Sequence, residues 1–206
     1  MINILFKTLL YNLSIDYGYT NVIIEHKELF RKLYYNTFEE LIISEVGSEI
    51  PSSKISVINN LLDIDINEKK NITDLYKHLN KRLSTKLIDD TNMFIGALKN
   101  YIDSIQNDFN ETLDYELELD FNKLFQSINL RYYIDNNFII DLILYLKHIG
   151  SYKIIITFNL NNYLTDQEID IISNELKINQ IILLNISSNT NFKNTTLTID
   201  KDLCII

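Results

Sequence analysis

Asp114, Glu116, Glu118 and Asp120 recur at every second position and form the one acidic constellation in the sequence. In an extended strand alternate side chains share a face, so all four carboxylates would project together. Like charges set side by side repel, and the set needs solvent, basic partners or a hard cation. Calcium and magnesium take such oxygen ligands. The plainer alternative is a solvated acidic face, the usual fate of clustered charge. A two-metal nuclease would require a further carboxylate and lysine motif beside the set, and none accompanies it.

The basic counterpart is Lys70, Lys77 and Lys81. Steps of seven and eleven residues bring these three onto one side of a helix, opposite Leu75, Leu79 and Leu83. Arg82, Lys86 and Lys99 add charge nearby. A ridge of this kind meets DNA phosphates without reading bases; taken alone, the ordinary solvated face is the favoured reading.

Other chemistries lack their residues. The chain has four glycines, Gly18, Gly47, Gly96 and Gly150, and they cannot make a G-x-x-x-x-G-K-S/T or G-x-G-x-x-G loop. Where a phosphate cradle would join a strand to a helix, the residues are Glu25-His26-Lys27. Without the glycines, backbone amides do not converge on phosphates, so no nucleotide is expected. His26, His78 and His148 lie far apart, with no second histidine one helical turn away to pair on a metal, and are read as surface or packing residues. No G-x-S-x-G elbow is present. The single cysteine, Cys204, is read as a small buried hydrophobe near the C-terminus; it precludes an intrachain disulfide and favours a reducing cytoplasm.

The elements that would carry these residues follow from periodicity. Met1 to Lys7 reads as a first strand and lacks the features of a signal peptide. Val22-Ile23-Ile24 is a strand, followed by an amphipathic helix through Leu29, Phe30, Leu33, Tyr34, Phe38, Leu41 and Ile42. Glu45 to Ser53, with Gly47 and Pro51, reads as a loop, and Lys54 to Ile58 as the next strand. Ile72, Leu75, Leu79, Leu83 and Leu87 mark a helix from about Asn71, its N-cap, to Ile88. Phe94, Leu98, Tyr101, Ile102, Ile105 and Phe109 mark a second, capped by Asp90 or Thr91. Together they suggest an antiparallel hairpin.

Leu113 to Phe121 then alternates as a strand bearing the acidic set. An apolar helix (Asn137 to His148), a strand (Lys153 to Phe158), a helix (Thr165 to Lys177) and a strand (Gln180 to Leu184) follow, an alternation that implies parallel βαβ units. Thr165-Asp166-Gln167-Glu168 is a capping box. Thr196 to Ile199 and Leu203 to Ile206 are short strand candidates.

With 206 residues, of which 46% are hydrophobic, the chain can bury one full core and a small second unit. Its most apolar run, Phe138 to Leu146, is far shorter than the roughly 20 residues a membrane helix needs. A net charge of -9 argues against a general nucleic-acid binder, although a local ridge can override the total.

The segment Ile154-Ile-Ile-Thr-Phe-Asn-Leu-Asn-Asn-Tyr-Leu-Thr-Asp-Gln-Glu168 resembles the Csn-type adaptation proteins of type II-A CRISPR systems. In that family an apolar strand ends in Asn, Tyr-Leu-Thr follows, an acidic residue opens the next helix, and another apolar strand comes after, here Gln180 to Asn185. Leu113 to Asn129 resembles the family's acidic strand and short helix. Val22-Ile23-Ile24-Glu25 with Leu29-Phe30 resembles its first strand-helix unit.

The resemblance implies an α/β, RecA-like or P-loop-like head with a mostly parallel sheet and no functional Walker motif, over 1–67 and 111–206, interrupted by a helical leg over 68–110. It implies a homotetrameric ring that binds double-stranded DNA ends without catalysis, in many members with structural calcium. It further implies partnership with the CRISPR integrase and effector nuclease in spacer acquisition. Asp114, Glu116 and Glu118 match the acidic strand and become candidate calcium ligands. Lys70, Lys77, Lys81, Arg82, Lys86 and Lys99 match by position as the DNA surface. Beside this stands a second reading, a protein-binding adapter whose degenerate head does not touch DNA, and a third, the metal-dependent nuclease.

Overall fold

A computed structural model describes residues 2–60, 64–109, 116–133, 142–143, 145–146, 152–188 and 196–206. The chain divides into two units, Met1–Asp65 with Ile134–Ile206, and Ile66–Tyr133.

The first unit is built on two sheets. β3 (Gly18–Ile24), β6 (Ile55–Ile58), β7 (Ile154–Phe158), β8 (Ile182–Ser187) and β9 (Leu197–Ile199) form a five-stranded sheet in the order β6-β7-β8-β3-β9. Every pairing in it is parallel. Parallel strands are covered on both faces and therefore read as continuous apolar runs; all residues of β7 and β8 are buried. β1 (Ile2–Phe6), β2 (Tyr11–Ile15), β4 (Leu41–Glu45) and β5 (Ser48–Glu49) make an antiparallel sheet in the order β2-β1-β4-β5. β1 alternates buried with half-buried residues, the mark of a strand with one inward face.

Alternation along the central strands splits the core in two. Ile154, Ile156 and Phe158 share one cluster with Leu29 and Leu33 of α1 (Lys27–Tyr35) and with Ile4, Phe6, Leu41 and Ile43 of the antiparallel sheet. Ile155 and Leu183 face the other way, onto Ile169, Ile172 and Leu176 of α6 (Asp166–Ile178). The start of α6 is fixed by the expected capping box: Thr165 N donates to Glu168 Oε2 at 2.7 Å, and Glu168 N to Thr165 Oγ1 at 3.4 Å.

The helix expected to run through Ile42 instead breaks at Asn36, continues as the short α2 (Thr37–Glu40), and gives way to β4 at Leu41. Leu41 and Ile43 lie opposite Phe6 and Ile4, and that distant pairing buries both, outweighing a helical spacing that happens to continue. The loop expected over Glu45 to Ser53 holds the β4–β5 hairpin, turned by Val46 and Gly47, both at positive φ (50° and 80°). β2 had no counterpart in the sequence reading. Of the apolar helix expected over Asn137 to His148, Leu142, Ile143, Tyr145 and Leu146 are helical, and the rest lies outside the described residues. The expected strand Leu203 to Ile206 reduces to a bridge from Ile205 to Ile199.

The second unit carries α3 (Lys69–Leu83), α4 (Ile88–Phe109) and α5 (Phe121–Ser127). Both long helices start earlier than their expected caps: Asn71 lies inside α3, and Thr91 lies inside α4, where its hydroxyl donates to Leu87 O at 2.7 Å. α5 is tied to α3 by Tyr76 against Phe125 (ring centroids 5.5 Å apart) and by Asn80 Nδ2 donating to Asn122 Oδ1 at 2.6 Å. Tyr76 OH donates to Leu130 O at 2.9 Å. Asn67 and Tyr132 exchange two hydrogen bonds of 2.9 and 3.2 Å, clasping the ends of the unit. This unit thus extends to Tyr133 and takes in a segment that the family resemblance placed in the head.

The strand expected over Leu113 to Phe121 does not form among the described residues. Glu116 to Asp120 joins no ladder, and Phe121 already opens α5. Leu117 and Leu119 are half-buried between exposed Glu116, Glu118 and Asp120, so the alternation survives without a pairing partner among the described residues. No described helix is long and apolar enough to cross a membrane.

Candidate functional site

The β3–α1 junction is the strand-to-helix turn tested above for a phosphate cradle, and two amides there, Glu25 N and Leu29 N, have internal partners. Glu25 N donates to Ile199 O at 2.8 Å, holding the turn to β9. His26 is the N-cap of α1: its Nδ1 accepts from Leu29 N at 3.2 Å. A cap satisfies one of the amides that a helix N-terminus would otherwise offer to an anion. The histidine read as a surface or packing residue therefore has a local structural role.

Beside this turn, at the carboxyl ends of β3 and β8, lies a cavity of about 530 Å³ lined by Ile24, Glu25, Lys27, Phe30, Arg31 and Ser188. Asn159, the residue that ends the apolar strand in the family pattern, adopts the left-handed conformation (φ 53°), which Asn tolerates through local hydrogen bonding. Its Oδ1 accepts from Ser188 N at 3.0 Å and from Ser188 Oγ at 3.2 Å, fixing the exit of β8.

The basic residues are all exposed: Lys70, Lys77, Lys81 and Arg82 on α3, Lys86 in the connection after it, and Lys99 on α4. Lys70, Lys77 and Lys81 share one face of α3, opposite Leu75 and Tyr76, which are buried. Asp74 shares their face and pairs with Lys77 at 3.0 Å, a contact between two exposed side chains that contributes little to stability. α3 ends at Leu83, so Lys86 lies off the helix on which it was expected. The two helices differ in charge. α3 holds Lys69, Lys70, Lys77, Lys81 and Arg82 against Asp74, whereas α4 holds Lys99 against Asp89, Asp90, Asp103 and Asp108.

Of the acidic set, Asp114 lies outside the described residues. Asp120 is the N-cap of α5: its Oδ1 accepts from Asn122 N at 2.9 Å and Lys123 N at 3.3 Å. Glu116 and Glu118 are exposed, and no group of three histidine, cysteine or acidic side chains converges among the described residues. The described carboxylates of the set do not converge on one point where a calcium ion could gather its six to eight oxygens. Cys204, expected to be buried, is exposed, with Sγ 3.9 Å from Asp202 O.

No family model matches the chain, and no curated protein matches it. Among solved structures it is similar to Stu0660 of Streptococcus thermophilus, with 14% identity and a TM-score of 0.47 over 89% of this chain and 68% of that one. A likeness of that size leaves activity and partners to be argued from the residues.

A buried polar network in the first unit went unread in the sequence. Thr157, Asn185 and Asn21 stand opposite one another on β7, β8 and β3, all on the α6 side of the sheet and all buried. Asn185 Nδ2 donates to Asn21 Oδ1 at 2.8 Å and to Asn161 Oδ1 at 3.0 Å. Asn185 Oδ1 accepts from Leu160 N at 2.9 Å and Thr157 Oγ1 at 3.2 Å. Tyr19 OH donates to Asn161 Oδ1, and burial raises the Tyr19 pKa well above the ordinary phenol value. The only signal in the sequence was a polar residue inside each of three apolar runs.

Proposed function

We propose that the chain is a non-catalytic protein that binds the ends of double-stranded DNA, a member of the Csn-type adaptation family of type II-A CRISPR systems. In this reading it works as a homotetrameric ring beside the CRISPR integrase and effector nuclease during spacer acquisition. The observation that carries the DNA reading is the face of α3, where Lys70, Lys77 and Lys81 project into solvent opposite the buried Leu75 and Tyr76. A straight row of exposed ammonium groups suits a phosphate backbone, because contacts to phosphate need charge and spacing and carry no base code.

The parallel sheet, with β3 running directly into α1, supports a RecA-like or P-loop-like head. Its β3–α1 turn spends Glu25 N and Leu29 N on internal partners, which supports a head that no longer turns over a nucleotide. Calcium belongs to the proposal only through Asp114, Glu116 and Glu118, and no step depends on it.

The test is a gel shift comparing linear with covalently closed circular duplex of equal length, at several salt concentrations, with and without calcium. Preference for the linear form, weakening steeply as salt rises, is the expected result. Equal binding to both forms, or binding indifferent to salt, would overturn end recognition through phosphates.

One observation favours the second reading, a protein-binding adapter. Asp74 sits within the basic row and occupies Lys77, in a chain whose net charge is -9. A gel shift that stays blank at micromolar protein, with retained capture of the integrase or effector nuclease, would select the adapter.

A further inference from the structure

Three aromatic side chains gather where α1 ends. The helix stops at Tyr35, Asn36 leaves the helical region (φ -132°, ψ 49°), and α2 begins at Thr37. Tyr34, Tyr35, Phe38 and Glu39, with Val57 and Asn59 at the end of β6, line a cavity of about 390 Å³. The rings of Tyr34 and Tyr35 stand 5.1 Å apart with their planes at 83°, forming a corner. Tyr34 is held from behind by Phe158, at 5.0 Å and 65°. Tyr35 is 75% exposed and Phe38 46% exposed, so aromatic surface is left in water at the mouth.

The charge of this cavity has one sign. Glu39 makes no ion pair or side-chain hydrogen bond among the described residues. No lysine or arginine stands among the described residues that line it. The C-terminal end of α1 also opens here, and the helix dipole makes that end favourable to cations. Asn36 N to Lys32 O (2.7 Å) and Thr37 Oγ1 to Leu33 O (2.7 Å) satisfy two of its last carbonyls without adding positive charge.

Each class of occupant can be weighed on these features. An anion would meet Glu39 and the negative faces of the rings. A purely apolar side chain would strip water from Glu39 and return nothing for it. A cation is attracted by ring faces, carboxylate and helix end together, as in aromatic cages that take ammonium groups.

We infer that this cavity receives a lysine or arginine side chain from a partner protein. Tyr34 and Tyr35 supply the ring corner, Phe38 a further apolar wall, and Glu39 the counter-charge. The inference does not depend on DNA binding, which is proposed for the other unit.

The test is an NMR titration of the full chain, labelled on its tyrosine and phenylalanine rings, with N-acetyl-arginine methylamide, and with N-acetyl-norleucine methylamide as the neutral control. The arginine probe should give saturable shifts centred on Tyr34, Tyr35 and Phe38, with a Kd on the order of millimolar, as suits one side chain bound by rings and one carboxylate. Tyr35→Ala should weaken it about tenfold and Glu39→Gln should weaken it measurably, while Tyr35→Phe should keep it. Tyr35 and Glu39 are both exposed, and an unchanged spectrum elsewhere would confirm that the variants remain folded. Shifts that fail to saturate, equal binding of the norleucine probe, or full affinity in Tyr35→Ala would each overturn the inference.

Discussion

Asn185 Nδ2 donates to Asn21 Oδ1 at 2.8 Å between two adjacent strands, and both side chains are closed off from water. The two residues are partners in the β3–β8 register, and Thr157 is the partner of Asn185 on the other side. Asn185 therefore ties three neighbouring strands and, through Leu160 N and Asn161, the turn that follows β7. Buried polar groups are costly unless paired, so removing the hub leaves several donors and acceptors stranded at once. Asn185→Ala should lower stability by about 3 kcal/mol or more. Asn21→Ala should cost less, because Asn21 Nδ2 has no hydrogen-bond partner to lose. Denaturant unfolding of both variants checks the order; equal losses would remove Asn185 from the centre.

Tyr19 adds a pH dependence to the same network. Burial holds its hydroxyl protonated well above the ordinary tyrosine range, while in the unfolded chain it ionises near the ordinary phenol value of 10.0. The folded chain thus keeps a proton that the unfolded chain releases. Tyr19 contributes fully below pH 10, and its contribution is lost as pH rises from there toward the folded-state value. Stability should fall on alkaline titration, and Tyr19→Phe should flatten that fall while leaving the neutral-pH side unchanged in slope. Identical slopes above pH 10 in both proteins would exclude Tyr19 as the source.

Gly18 opens β3 at φ +105°, a backbone conformation that side chains rarely adopt. A Cβ there would meet Lys177 Cε at 2.8 Å and Ser173 Oγ at 2.9 Å. The Lys177 chain can swing away, but Ser173 Oγ also accepts from Tyr19 N at 3.1 Å, so yielding breaks a bond. Gly18→Ala should cost about 1–3 kcal/mol from backbone strain, more if that bond is lost. Thermal unfolding against Gly96→Ala, where an added Cβ meets nothing within 4 Å, provides the control.

What could be read from sequence followed how local the cause was. Thr165 and Glu168 mark the start of α6 because a capping box lies within four consecutive residues. β7 announces itself because strands covered on both faces are apolar throughout. Leu41 and Ile42 misled because they continue a helical spacing, and only pairing with residues near the N-terminus makes them a strand. Glu116 to Asp120 misled for the opposite reason: the alternation is present and no partner strand stands beside it among the described residues. In the candidate site, the exposed row on α3 was legible because a helix face follows from spacing alone. The row Thr157, Asn185 and Asn21 was not, because strand register across distant segments leaves no mark in local pattern.

The charge division between α3 and α4 separates the DNA reading from general electrostatics. Lys77 and Lys81 stand on the basic helix, whereas Lys99 stands alone among Asp89, Asp90, Asp103 and Asp108. If duplex DNA lies along α3, Lys77→Glu with Lys81→Glu should weaken binding at least tenfold, since each reversal removes a phosphate contact and adds repulsion. The same change should lower the salt slope by about two ion releases. Lys99→Glu, equal in charge change per site, should leave affinity within about twofold, because Lys99 stands on a helix whose four aspartates already leave no net attraction for phosphates. All three lysines are exposed, so circular dichroism and unfolding midpoints should match the parent chain. Salt-dependent gel shifts on the double and single variants decide it: losses that follow net charge alone, with Lys99→Glu as harmful as either α3 reversal, would take the DNA surface off α3.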